Sequence, residues 1–135
     1  MDAYTHLLDT NIVSDLVRRP QGMAASRLAL VEPAKVCTSL IVASELRYGA
    51  EKKGSERLSR QLEQVLAGLD ILPYATPADF HYGRIRAALQ RVGQPIGGND
   101  LLIAAHALAL DAVLVTDNVG EFGRVPGLRV ENWLR

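Results

Sequence analysis

Leu7-Leu8-Asp9-Thr10-Asn11 decides how this chain is read. Residues 4–8 read as a buried strand, Asp9 ends it, and a short helix over residues 11–18 follows at once, stopped by Pro20. A carboxylate that ends a strand in an α/β protein lies at the carboxyl edge of the sheet, where ligands and metals bind. Asp, Thr and Asn are equally the residues that cap helices, so Asp9 alone also has an ordinary structural reading. What separates the two readings is whether other carboxylates converge on the same edge.

Working outward, residues 23–31 have helical spacing ended by Pro33, and residues 35–39, β-branched and small, predict a second strand. Residues 41–53 predict a helix closed by Gly54, and Ser55 starts another with Leu58, Leu62, Val65 and Leu66 on one face. A short strand is expected over residues 69–72. A long helix opens at Pro77-Ala78 and runs to Val92, terminated by Gly93 and Pro95. Gly97-Gly98-Asn99 reads as a loop feeding an apolar helix over residues 100–110. Residues 112–116 (Ala-Val-Leu-Val-Thr) are the most strand-like segment and are expected at the centre of the sheet, with a short edge strand near residues 128–130. Strands alternating with helices predict the α/β class, with a parallel sheet covered on both faces in three layers. Right-handed crossovers then place every strand's carboxyl end on one side.

Composition narrows the class. The 135 residues suit a single domain, 1–135, with a core of its own. The lone Cys37 lies in an apolar stretch and reads as a buried thiol in a reducing compartment. Met1-Asp2-Ala3-Tyr4 lacks a basic leader and no apolar run approaches a membrane span, so a cytoplasmic protein with no membrane contact is expected. Fifteen basic residues balance fifteen acidic ones, which excludes a global field for a polyanion. Twelve of the fifteen bases are Arg, whose forked guanidinium suits phosphate, so nucleic acid can still be held by a local patch.

Four acids map to the carboxyl edge. Asp9 follows the first strand, Asp117 follows Thr116 at the end of the strongest strand, and Asp100 opens the helix before that strand. Glu45 shares a helical row with Ile41 and Gly49, so it projects from a partly apolar face, which is unfavourable without compensation. Capping accounts singly for Asp9 and Asp100, a turn for Asp117-Asn118, and pairing with Arg47 or Lys52 for Glu45. Jointly, clustered carboxylates repel unless a hard divalent cation such as Mg²⁺ or Mn²⁺ joins them through oxygen ligands. His6, His81 and His106 are scattered and read as structural or surface residues rather than zinc ligands.

The order of Leu8-Asp9-Thr10-Asn11, Ser44-Glu45-Leu46-x-Tyr48-Gly49-Ala50, Asn99-Asp100-Leu101-Leu102-Ile103-Ala104 and Leu114-Val115-Thr116-Asp117-Asn118 is specific. So is the closing run through Glu121-Phe122-x-Arg124-Val125-Pro126-Gly127-Leu128 to Glu131-Asn132-Trp133. Over nearly the whole chain these motifs resemble a PIN domain, and within that family the VapC or FitB-type toxins of bacterial toxin–antitoxin pairs. The resemblance implies an α/β/α sandwich and metal-dependent cleavage of RNA. It makes Asp9, Glu45 and Asp100 catalytic acids; on that platform we assign Asp9 and Asp100 to the metal, Glu45 to completing the site, and Asn11 and Thr116 to positioning the acids, roles that helix capping or strand-end hydrogen bonding also explains for the last two. For the fourth acid many relatives have an Asp where this chain has Asn118; Asp117 is taken for that role, with Asn118 and Glu121 as the alternatives.

The same resemblance implies a VapB-type antitoxin whose C-terminal segment enters a groove around Leu16, Val17, Leu28 and Leu66, residues that plain core packing also explains. It implies a homodimer or a hetero-oligomer with the antitoxin, and operator DNA contacted only through the antitoxin. An RNA substrate, by resemblance tRNA, needs cations beside the acids: Arg18, Arg19, Arg47, Arg84, Arg86 and Arg91 are the candidates, with Tyr48 and Tyr82 as stacking platforms. An aspartyl-phosphate phosphatase is disfavoured by Asn11 where a second Asp is needed, and a receiver domain by the missing Lys after the last strong strand. Gly97-Gly98 does not form a dinucleotide loop. The remaining rival is a PIN-like module that binds RNA or protein without catalysis.

Overall fold

The computed structural model describes residues 3–135; Met1 and Asp2, read above only for their lack of basic charge, lie outside the described residues. Five short strands, β1 (His6–Leu8), β2 (Val36–Ser39), β3 (Asp70–Leu72), β4 (Val113–Val115) and β5 (Val130–Glu131), form one all-parallel sheet in the order β3-β2-β1-β4-β5. Helices α1 (Thr10–Arg18), α2 (Met23–Leu28), α3 (Leu40–Lys53), α4 (Glu56–Ala67), α5 (Ala78–Arg91), α6 (Gly98–Leu110) and α7 (Val119–Phe122) make the crossovers. Parallel pairing demands such crossovers and leaves the inner strands buried on both faces, as Leu7, Leu8, Leu114 and Val115 are.

The centre of the sheet corrects one expectation. His6 pairs with Val36 on one side and Val113 on the other, so β1 is the middle strand and β4 is its neighbour. From β1 the chain moves outward through β2 and β3, then returns to the far side of β1 for β4 and β5. This reversal makes the space beyond the carboxyl ends of β1 and β4 the crevice in which open α/β sheets bind ligands.

Local chemistry sets the element ends. Ser39 and Ser55 cap α3 and α4 by accepting the amides of Ile41 and Leu58, each at 3.1 Å. Gly54, at φ 67°, closes α3 in the left-handed region that glycine enters without strain. The second helix stops at Leu28 rather than residue 31, because Leu30 and Val31 turn back in three-residue steps onto the carbonyls of Arg27 and Leu28. Gly98 and Asn99, expected in a loop, form the first turn of α6, and β5 sits one to two residues later than expected. The four-residue α7 is too short to show a periodicity in sequence.

Cys37 is fully buried, and burial pushes its thiol up to about 12, so it packs as an apolar group. His106 is buried as well, with Nδ1 2.9 Å from Ser39 Oγ and its ring edge-on to Tyr74. Burial depresses its pKa and keeps it neutral, as a structural histidine. No helix among the described residues is long and apolar enough to cross a membrane.

Candidate active site

Asp9 occupies the N-cap position of α1 yet makes no side-chain capping bond, which removes its ordinary reading. Its Oδ2 instead accepts the Thr116 hydroxyl at 2.7 Å and the Asn11 amide at 3.3 Å. Asn11 also donates to Thr116 Oγ1 at 3.2 Å, and its Oδ1 accepts the backbone N–H of Asp117 at 2.9 Å. The ends of β1 and β4 are thus stitched together around one carboxylate that is 4% exposed. Burial raises the Asp9 pKa; the Thr116 hydroxyl and the adjacent Thr10 amide oppose that rise, and the charge of Glu45 adds to it.

Thr116 Oγ1 is a hub, because it donates to Asp9 and accepts from both Asn11 and the Asn118 amide. Thr116→Val keeps the shape and removes all three bonds. Leaving buried partners unpaired costs about 1–3 kcal/mol, so the midpoint of denaturant unfolding is expected to fall accordingly at an unchanged slope.

Glu45 reaches the crevice from α3. Its Oε1 accepts the Thr10 hydroxyl at 2.8 Å and its Oε2 the Asn99 amide at 3.2 Å. The alternative that it pairs with Arg47 does not hold, since Arg47 forms two bonds to Glu63 of α4 at 2.9 and 3.0 Å. Thr10 and Asn99 were absent from the sequence-based site, although each adjoins one of its acids in sequence.

Asp100 lies within the first turn of α6, while Gly97 holds the N-cap. Its pKa is raised to about 7 by burial, then by its hydrogen-bonding contact with Glu121, then by the negative charges of Glu121, Asp9 and Glu45. Glu121 shifts downward, because the Gly97 N–H donates to its Oε1 at 2.9 Å and the Asn118 amide to its Oε2 at 3.0 Å. The pair therefore keeps one proton, on Asp100, into the neutral range. Asp9, Glu45, Asp100 and Glu121 interact electrostatically as one group.

Asp117 sits at the same edge with its carboxylate engaged elsewhere. Its Oδ1 accepts the Asn132 amide at 2.9 Å and lies 3.8 Å from Arg135 Nε. The residue touching the cluster from the β4 end is Glu121, raised into place by α7, with Asn118 holding it. The spacing Asn118-x-x-Glu121 was the available signal, since one helical turn brings the two side chains together.

Every donor that this group offers is an oxygen, and hard carboxylate oxygens fit a divalent cation of the Mg²⁺ or Mn²⁺ kind. Burial and the crowding of carboxylates both raise the Asp100 pKa, and a bound cation would offset that crowding. Among the described residues no three acid, His or Cys side chains close into a ready-made cage, so the fit is one of donor chemistry and charge.

Arg18 and Lys53 line a cleft of about 230 Å³ with Thr10 and Glu45, on the α1–α3 side of the acids. Arg19 is bonded to the buried Asp15 at 2.7 Å and, like Arg47, is committed to structure. A larger apolar groove of about 580 Å³ lies between α1, α2 and α4; Leu28 and the buried Leu16 line it, whereas Val17 and Leu66, also core residues, do not.

Comparison with known proteins agrees with this geometry. The PIN domain family model matches residues 6–128. Ribonuclease VapC2 of Rickettsia felis is 40% identical over 130 residues, covering 95% of this chain and 97% of that protein. The tRNA(fMet)-specific endonuclease VapC of Salmonella typhimurium is 40% identical over 128 residues, covering 94% and 96%. The crystal structure of VapBC2 from Rickettsia felis bound to a DNA fragment from their promoter superposes with a TM-score of 0.89 at 38% identity, covering 96% of this chain and 98% of that one. This chain belongs to the PIN domain family and, within it, to the VapC type.

Proposed function

We propose that the chain is a single-domain endoribonuclease, the toxin of a VapBC-type pair, and that it cuts RNA in the bacterial cytoplasm with Mg²⁺ or Mn²⁺ bound. The observation that carries this reading is the gathering of Asp9, Glu45, Asp100 and Glu121 at the switch point of the sheet. The near full-length likeness to proteins named ribonuclease and endonuclease supports it. The name of the Salmonella relative supports tRNA as the substrate class.

In this reading Asp9 and Asp100 hold the cation. Glu121, rather than Asp117, is the acid completing the set, because it is the one in contact with Asp100. A divalent cation bound there supplies Lewis-acid polarisation of the phosphate and acidification of a water. Asn11 and Thr116 fix the Asp9 carboxylate, and such supporting contacts are worth about 10–100-fold in affinity or rate. Glu45, pinned at both oxygens by Thr10 and Asn99, orients the attacking water. A cation held by Asp9 and Asp100 would favour the ionised form of Asp100. Asp117 anchors the C-terminal residues through Asn132.

The groove lined by Leu16 and Leu28 is assigned to the antitoxin. The promoter-bound VapBC2 structure supports a hetero-oligomer with that partner, through which DNA is contacted.

The test is incubation of antitoxin-free protein with total RNA and with purified tRNA, in Mg²⁺ or Mn²⁺ and in EDTA. Discrete cleavage with either cation and none in EDTA is expected. Cleavage indifferent to EDTA, or binding without cleavage, contradicts the reading; the latter outcome favours the non-catalytic module.

A further inference from the structure

Charge is balanced over the chain but not along α5. This helix carries one acid, Asp79, against Arg84, Arg86 and Arg91, and among the described residues none of the three arginines is in an ion pair. By contrast Arg19, Arg47 and Arg129 are each bonded to a carboxylate. Beside α5 runs a groove of about 470 Å³. One lip carries His81, Arg84 and Arg91, spread over about 15 Å of helix at 1.5 Å per residue. The opposite wall is Leu108 of α6 with Pro126 and Gly127 of the segment after α7.

The two walls meet at the acids. From Arg91 the chain passes through Pro95 to Gly97, and from Pro126 it traces back through Arg124 to Glu121. The Gly97 N–H donates to Glu121 at 2.9 Å, and Arg124 Nη1 bridges the walls at the Pro95 carbonyl, 3.5 Å away. A strand leaving the acidic site by this route meets Leu108 and the Pro126-Gly127 turn on one side and, on the other, Arg84 and Arg91 flanking Ile85 and Ala88, neither arginine in an ion pair. Exposed Phe80, with Arg84 5.9 Å from its ring centroid, adds a stacking face beyond the outer end. A strongly apolar partner segment would strip water from the arginines without offsetting their charge. A phosphodiester backbone offsets it at each one.

We propose that this groove is the track for the RNA strand on one side of the bond being cut, with Arg84 and Arg91 on its phosphates. The inference rests on the ribonuclease reading and adds to it the surface that holds the substrate.

The test is fluorescence anisotropy of a labelled single-stranded RNA oligonucleotide with the full chain in EDTA, titrated at several salt concentrations. Each phosphate contact on a single strand contributes about 0.7 to the slope of log affinity against log salt. Arg84→Ala/Arg91→Ala is therefore expected to flatten that slope by about 1.4 and to weaken binding about tenfold at low salt. Arg84→Lys/Arg91→Lys, which keeps the charges, restores most of the slope. Arg57→Ala/Arg60→Ala on α4 leaves slope and affinity in place. All the substituted side chains are exposed, and a thermal melt checks the fold of each variant. An unchanged slope and affinity in the alanine pair overturns the proposal. So does equal binding of duplex DNA lost in the same variant, which marks a general polyanion surface, or groove-dependent binding of an acidic peptide in place of RNA. The two readings fail separately: if the unsubstituted protein cuts RNA but the alanine pair binds it normally, only the groove is wrong. If the unsubstituted protein cuts no RNA with either cation, the ribonuclease reading is wrong whatever the groove binds.

Discussion

Asp100→Asn is expected to lower RNA cleavage by about 10²–10³-fold or more and, in the same protein, to raise the melting temperature of the metal-free form. The two effects share a cause. Burial first, and then the three acids around it, push the Asp100 pKa from 3.8 to about 7. Because the folded pKa lies above the unfolded one, the folded state binds this proton more tightly. Its contribution to stability is full below about pH 4 and is lost as pH rises through about 7. Above that range the ionised Asp100 works against the fold. Asn cannot ionise, and its amide donates to Glu121 in place of the shared proton. The difference in melting temperature between Asp100→Asn and the parent is therefore expected to open between pH 4 and 7 in EDTA. Discounted for partial exposure, it should reach about 3–6 °C. Saturating Mg²⁺ or Mn²⁺ narrows the gap, because ligand binding stabilises only the parent. A variant that is inactive but no more stable at any pH contradicts the electrostatic account of the site.

Glu121→Gln is expected to cost at least about 10²-fold in kcat/KM, whereas Asp117→Asn costs less than about tenfold. Glu121 is in contact with Asp100 and is held by the Gly97 and Asn118 donors, so removing its charge acts directly on the acid pair. The Asp117 carboxylate faces Asn132 and Arg135, and its link to the acids runs through its backbone N–H to Asn11, which Asn at this position retains. Asn118→Ala should fall between them, by about 10-fold, since it removes one donor from Glu121. The opposite ranking of Glu121 and Asp117 in steady-state kinetics returns Asp117 to the catalytic set.

How far the sequence could be read follows from where each interaction lies along the chain. Asp9 was legible because an apolar strand ending in an acid constrains topology, the handedness of crossovers carried Asp100 to the same edge, and the helical row with Ile41 and Gly49 picked out Glu45. The place of β1 at the centre was not, because Ala112-Val113-Leu114-Val115-Thr116 has the stronger β-character, while position in a sheet is set by the crossovers. Glu121 stood only as an alternative to Asp117 because α7 has four residues and shows no periodicity. Arg47 seemed free to meet substrate until α4 brought Glu63 to it across 16 residues, a tertiary pairing with no local trace. The α5 arginines were named as a cationic face from sequence, but the wall opposite them comes from α6 and the Pro126-Gly127 turn, which only the fold supplies.

The central claim is that the acids gathered at the ends of β1 and β4 hold a divalent cation, and proton release on binding tests it most directly. Mn²⁺ titrated calorimetrically into antitoxin-free protein, at pH 6 and at pH 8.5 in two buffers of different ionisation enthalpy, measures how many protons leave per ion. The account predicts release of close to one proton at about pH 6, below the Asp100 pKa of about 7, and almost none at about pH 8.5. It also predicts that Asp100→Asn removes both the release and most of the affinity. Binding with no proton release at the lower pH, or binding that Asp100→Asn leaves intact, contradicts it.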